Sequence, residues 1–158
     1  MGFEARLKEL GIILPEAPRP VAAYIPYVVA DNLLFTSGQL PVADGKVRYA
    51  GLVGDKLSVE EGRAAARLCV INCLAVVRAA AGSLDKVAQI VKLTGYVASA
   101  PGFHEQPQVL NGASELLEAV FGSKGRHARA AVGVSALPLG AAVELDMVVQ
   151  IANFLPSS

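Results

Sequence analysis

Arg129 stands where a charged segment gives way to an apolar one. Residues 125–134 read GRHARAAVGV, so a guanidinium lies at the start of a run of small apolar residues that is typical of a buried strand. Arginine binds a carboxylate through two parallel hydrogen bonds, because its planar guanidinium keeps its charge and has a preset geometry. The type and place of this residue therefore predict either a site for a small carboxylate or an ion pair within the chain.

The next segment carries two acidic residues in a regular alternation. Residues 142–154 place apolar side chains on one face of a predicted strand and Glu144, Asp146 and Gln150 on the other. The apolar set is Val143, Leu145, Met147, Val149 and Ile151. One face should pack against helices, and the other should meet polar groups.

Parity also assigns faces on the preceding strand, residues 130–134. If its valines face the core, then Arg129, Ala131 and Gly133 lie on the face away from the helices. The segment LPLG (137–140) would join this strand to the last one as an antiparallel hairpin. Arg129 would then share a surface with Glu144 and Asp146, where it either pairs with a carboxylate or holds a ligand above a floor of small residues.

Other residues that can carry chemistry favour structural roles. Cys69 and Cys73 lie one helical turn apart, a spacing unsuited to a strain-free disulfide, so we expect free thiols on a buried helix face. The only histidines, His104 and His127, are far apart and have no cysteine beside them, so we predict no metal site. His127 either borders the site of Arg129 or simply ends a loop. No serine lies in a G-x-S-x-G motif, and no phosphate-binding loop is recognisable.

The remaining pattern predicts a single α+β domain over residues 1–158, with a helix and a Pro-rich arm in 1–20. Strand-like segments lie at 21–29, 33–37, 46–50 and 87–98. A capping box at Ser58 begins a helix that Gly82 ends, and a second long helix covers 109–121. This order predicts a mixed or antiparallel sheet with two helices on one face.

Composition limits the classes of function. Fourteen basic residues balance fourteen acidic ones, and the aromatic share is 6%, so nucleic-acid binding is not favoured. Charges, Gly and Pro interrupt the apolar stretches, so we expect no membrane span. Free thiols without a signal peptide favour the cytoplasm.

The motif TSGQLP (36–41), followed much later by HAR, LP and VELD, resembles the YjgF family, also called the reactive-intermediate deaminases (Rid) or endoribonuclease L-PSP proteins. The resemblance covers residues 21–151. It implies a chorismate-mutase-like fold and a homotrimer with clefts between neighbouring subunits. HAR in place of the usual PAR, with Ala130 and Gly133 at positions that are often polar, indicates a divergent branch.

The resemblance also implies roles for particular residues. Arg129 would bind the substrate carboxylate and Glu144 would place the attacking water. The substrate-binding positions would be Tyr27, Gly38, Asn111 and Ala131. No metal or other cofactor is required, because a protonated imine is already electrophilic.

These implications predict hydrolysis of 2-iminopropanoate or 2-iminobutanoate to a 2-keto acid and ammonia. The alternative is a non-catalytic trimer that binds a small carboxylate as a sensor or protective protein. An endoribonuclease activity rests only on the family's older name.

Overall fold

The protein is a five-stranded sheet with two long helices packed on one face. The computed structural model describes residues 2–20 and 23–152. The helices are α1 (Phe3–Glu9), α2 (Val59–Ala81) and α3 (Gln106–Phe121). The strands are β1 (Tyr27–Ala30), β2 (Leu33–Thr36), β3 (Val42–Ala43), β4 (Lys46–Val47), β5 (Val87–Ala98), β6 (Ala128–Val134) and β7 (Val143–Ile151).

The sheet runs in the order β1-β2-β7-β5-β6, while β3 and β4 form a separate hairpin. Strand β5 is antiparallel to β7 and parallel to β6. The sheet is therefore mixed, and β1 and β6 are its two edges.

The predicted hairpin between the last two strands is wrong. Strand β6 does not pair with β7, because β5 lies between them in the sheet. The reason is that α3 forms the crossover of a β5-α3-β6 unit, which brings β6 alongside β5 in parallel. The chain then passes the end of β5 and enters the sheet on its other side as β7.

Local sequence signals explain where α2 begins and ends. The Ser58 hydroxyl accepts a hydrogen bond from the Glu61 backbone N–H, and the Glu61 carboxylate accepts one from the Ser58 N–H, so the predicted capping box is present. Gly82 ends the helix in the left-handed conformation at a φ of 87°. Cys69 and Cys73 are buried free thiols on this helix, and burial raises the pKa of Cys73 to about 12, which leaves its thiol unreactive.

Helix α2 is also long and apolar. Among residues 2–20 and 23–152 it is the one helix that could cross a membrane by length and composition, although Arg67 and Arg78 interrupt its apolar sequence. However, 61% of its most apolar window is buried inside the protein, as befits a core helix.

The core lies between the sheet and the two long helices. Alternate residues of β7 are buried as predicted, with Leu145, Met147 and Val149 facing the helices. On β5, Gly95 leaves room for Leu110 of α3, because a β-carbon there would overlap the leucine side chain. Helix α1 docks on the same layer, with the rings of Phe3 and Phe121 4.8 Å apart.

Several predicted boundaries differ from the observed ones. Helix α3 begins at Gln106 rather than 109, β1 begins at Tyr27, and the strand expected at 46–50 is only Lys46–Val47. Helix α1 and the strand Val87–Ala98 lie close to where they were predicted. Residues 21, 22, 153 and 154 of the predicted strands lie outside the described residues.

Candidate active site

Arg129 lies on the helix-covered face of the sheet, opposite to the face we predicted. Its Nη1 donates to the Asn111 Oδ1 at 2.9 Å and to the Ser114 Oγ at 3.1 Å, and both acceptors belong to α3. Ala131, of the same parity, packs against the core cluster, whereas Val132 points the other way and is 42% exposed. The assumption that valines mark the core fails here because β6 is an edge strand, whose other face is apolar but uncovered.

The guanidinium of Arg129 is held on one side only. In the described part of the chain Arg129 belongs to no ion pair, so the predicted pairing with Glu144 or Asp146 is absent there. Both hydrogens of Nη1 are used, whereas Nε and Nη2 donate to none of the described residues. No buried side-chain nitrogen or oxygen among those residues lacks a partner, so solvent reaches Nε and Nη2. This edge is the one that binds a carboxylate through two parallel bonds.

Ser114 and His127 complete the group around Arg129. The His127 Nε2 lies 3.0 Å from the Ser114 Oγ, and its Nδ1 lies 2.7 Å from the Gly125 carbonyl oxygen. We call Asn111, Ser114, His127 and Arg129 the arginine cluster. Ser114 is not among the residues that the sequence predicted for the site. Its spacing of three residues from Asn111 on a helix was the available signal, since such residues share a face.

Glu144 lies on the opposite, uncovered face of the sheet. It pairs in register with Tyr96, while Asp146 pairs with Thr94 and accepts a hydrogen bond from the Tyr96 hydroxyl at 3.1 Å. We call Gly38, Tyr96, Glu144 and Asp146 the carboxylate face.

Partial burial dominates the electrostatics of the carboxylate face. Desolvation, and then the charge of Asp146, raise the pKa of Glu144. Desolvation also raises the pKa of Asp146, against the Tyr96 hydrogen bond and the charge of Lys92, which lower it. The pKa of Tyr96 is raised by desolvation and by both carboxylates. A carboxylate with a raised pKa is a stronger base, so Glu144 suits the activation of water.

Gly38 is placed directly against Glu144. A β-carbon at this position would overlap the Glu144 carboxylate, so glycine allows the close approach. Gly38 also borders a cavity of about 380 Å³ between the Pro-rich arm, the β3–β4 hairpin and α2.

Tyr27 joins neither group. It pairs in register with the buried Thr36 and packs against the core from β1, at the opposite edge of the sheet from Arg129.

The predicted site residues thus form two separate groups within one chain. Asn111 and Ala131 lie on the face of Arg129, and Gly38 lies with Glu144, but the sheet separates the two groups. The surface that was expected to hold Arg129 together with Glu144 and Asp146 does not exist within one copy. No set of three or more His, Cys, Asp and Glu side chains in residues 2–20 and 23–152 is arranged to hold a metal ion.

The fold and both groups define a YjgF/chorismate-mutase-like protein. The family model described as "YjgF/chorismate_mutase-like, putative endoribonuclease" matches residues 4–152, and the chain belongs to this family. Protein TCP17 of Trypanosoma cruzi is 49% identical over 150 residues, which cover 94% of each chain.

The chain is also similar to two solved structures. Atu1372 of Agrobacterium tumefaciens, a protein of unknown function, is 51% identical with a TM-score of 0.88 over 94% of this chain and 92% of its own. RidA of the Antarctic bacterium Psychrobacter is 28% identical, with a TM-score of 0.61 over 86% and 94% of the two chains. The chain therefore shares more of its geometry with Atu1372 than with RidA.

Proposed function

We propose that the protein hydrolyses reactive 2-imino acids, such as 2-iminopropanoate and 2-iminobutanoate, in a site formed by two copies of the chain. The observation that carries the proposal is the guanidinium of Arg129. It is fixed through Nη1, has no ion-pair partner among the described residues, and presents Nε and Nη2 to solvent. Such a group is prepared to bind a small carboxylate.

The need for a second copy follows from the positions of the two residues on the sheet. Arg129 and Glu144 lie on opposite faces, so one substrate cannot contact both within a chain. A neighbouring copy can bring its Glu144 to the free edge of Arg129. The uncovered face supports such packing, since Val28, Phe35 and Val132 expose 53%, 41% and 42% of their surface. The homotrimer implied by the resemblance is one such assembly.

The chemistry needs little besides positioning. Arg129 holds the substrate carboxylate, and Glu144 accepts a proton from a water molecule that attacks the imine carbon. The resulting carbinolamine loses ammonia and leaves the 2-keto acid, so the net reaction consumes one water.

The test couples the protein to a source of imine. A serine dehydratase supplies 2-iminopropanoate, and pyruvate formation is followed with and without the protein. We expect faster formation with the wild type and none of the gain with Arg129→Ala. Arg126→Ala is the matched control, because Arg126 is 77% exposed and pairs with the surface residue Glu118. Equal acceleration by Arg129→Ala and the wild type would refute the proposal.

The separation of the two groups also supports a second candidate, a carboxylate-binding protein without turnover. Binding needs only the arginine cluster, whereas hydrolysis needs Glu144 as well. Calorimetry with 2-ketobutyrate distinguishes the two. Binding that Arg129→Ala abolishes, together with no effect on pyruvate formation, would establish the binding protein and exclude the enzyme.

A further inference from the structure

We propose that His127 is a positioning residue that, through Ser114, holds the carboxylate-binding edge of Arg129 in place. This inference rests on the proposed function and adds two residues to its site, neither of which touches the substrate. The geometry is a continuous chain of hydrogen bonds from Gly125 through His127 and Ser114 to Arg129.

The direction of each bond follows from its ends. The carbonyl of Gly125 can only accept, so the His127 Nδ1 carries a proton and donates to it at 2.7 Å. In the neutral ring the Nε2 is then an acceptor, and the Ser114 hydroxyl donates to it at 3.0 Å. The lone pairs of the Ser114 Oγ are thereby turned to Arg129, whose Nη1 donates at 3.1 Å. His127 thus sets the orientation of the hydroxyl that holds the guanidinium.

The end of this hydrogen-bond series at Gly125 is rigid. Gly125 is buried and lies so close to the Leu117 carbonyl of α3 that a β-carbon would overlap it. Ser114 and Asn111 also belong to α3. The series of hydrogen bonds is therefore anchored to α3 at Gly125 and again at Arg129. Arg129 is therefore held between two points of one helix.

Neutral partners are suited to this task. Asn111 and Ser114 accept from Nη1 without neutralising the guanidinium, so its charge remains available to a bound carboxylate. Arg126 shows the contrast, because its guanidinium pairs with the Glu118 carboxylate 3.2 Å away. An acidic residue in place of Ser114 would compete with the substrate.

The test compares His127→Leu, which removes the acceptor, with His127→Gln, whose side-chain oxygen can still accept from Ser114. A neutral hydrogen bond changes an equilibrium by roughly 3- to 10-fold, so we expect His127→Leu to weaken 2-ketobutyrate binding and raise KM by about that factor. The kcat should change less than about twofold, since the proton-transfer groups are untouched. His127→Gln should restore most of the binding. Wild-type binding by His127→Leu, or an effect confined to kcat, would overturn the inference.

A double-mutant cycle with Ser114→Ala tests whether His127 acts on Arg129 through Ser114. If His127 acts through Ser114, then His127→Leu has no further effect in the Ser114→Ala background. An equal loss in both backgrounds would show that His127 acts independently, which would refute the relay.

A measurement on the ligand-free protein tests the positioning role independently of the proposed function. In ¹⁵N-labelled protein, rotation of the Arg129 guanidinium about Nε–Cζ should be faster in His127→Leu and in Ser114→Ala than in the wild type. If the wild type neither binds 2-ketobutyrate nor forms pyruvate, the proposed function fails while this measurement still decides the positioning role. Unchanged rotation in both variants would overturn it.

Discussion

The arginine cluster and the carboxylate face occupy opposite sides of one sheet and are built in opposite ways. Arg129 is held by neutral acceptors on α3 and keeps an accessible charged edge. Glu144 and Asp146 lie side by side on β7, with their pKa values raised by desolvation and no helix above them. The first group is completed by a helix of its own chain, whereas no helix of the described residues covers the second.

Mixing two inactive variants tests this comparison most severely. Arg129→Ala and Glu144→Gln should each be inactive, because each lacks one half of every cleft. When the two are unfolded and refolded together in equal amounts, about a quarter of the clefts should combine an intact Arg129 with an intact Glu144 of a neighbour. Pyruvate formation should recover accordingly. If the mixture stays as inactive as its components, the two halves do not come from different copies.

A glycine in each region gives the next contrast. Gly38→Ala should displace the Glu144 carboxylate, since the new β-carbon would occupy its place. We expect kcat to fall by about 10-fold or more, because a shift of about 1 Å at a catalytic group is costly. Gly133→Ala lies beyond Arg129 and meets only the ends of the Gln106 and Ser99 side chains, so it should have little effect. Thermal unfolding of both variants controls for stability. Equal kcat values for Gly38→Ala and Gly133→Ala would contradict this prediction.

The carboxylate face should make both stability and kcat depend on pH. Because the folded pKa of Glu144 is raised, the folded state binds more protons than the unfolded state between its ordinary and raised pKa values. The contribution of Glu144 to stability is therefore present below the unfolded pKa and is lost as pH rises through the folded pKa. Over the same range kcat should increase, since the ionised form is the base. Glu144→Gln should reduce this stability slope to the part that Asp146 contributes, because the pKa of Asp146 is also raised, whereas Arg129→Ala should retain the full slope in urea unfolding followed over pH.

The smallest effect expected is on Asp146. The Tyr96 hydroxyl donates to the Asp146 carboxylate and so lowers its pKa. Tyr96→Phe should raise that pKa further, as measured by NMR titration of the Asp146 side-chain carbon. The arginine cluster should be unaffected, and an unchanged Asp146 pKa would show that the hydrogen bond is not made in solution.

Much of the fold could be predicted because its signals are local. The capping box at Ser58, the C-cap at Gly82 and the alternation of β7 each depend on neighbouring residues, and all three are present. The same holds for the family, whose motifs lie in short segments. The resemblance assigned Asn111 and Arg129 to the same site, and the two side chains are hydrogen bonded.

The assignment of Arg129 to a face failed for a different reason. Alternation shows which residues share a face but not which face a helix covers. Both faces of β6 carry small apolar residues, so their hydrophobicity did not distinguish the covered face from the uncovered one. The prediction assigned Val132 and Val134 to the core because they are the branched apolar residues of β6. On an edge strand with an uncovered face, Val132 is exposed and Val134 is only half-buried.

The sequence by itself determined the long helices, most of the strands and the family. Only the tertiary structure decided that β5 separates β6 from β7, and that the guanidinium and the carboxylate lie on opposite faces. The physical reason is that strand order and helix coverage depend on contacts between residues far apart in the chain. Such contacts leave no local pattern, because many pairings would bury the same apolar faces.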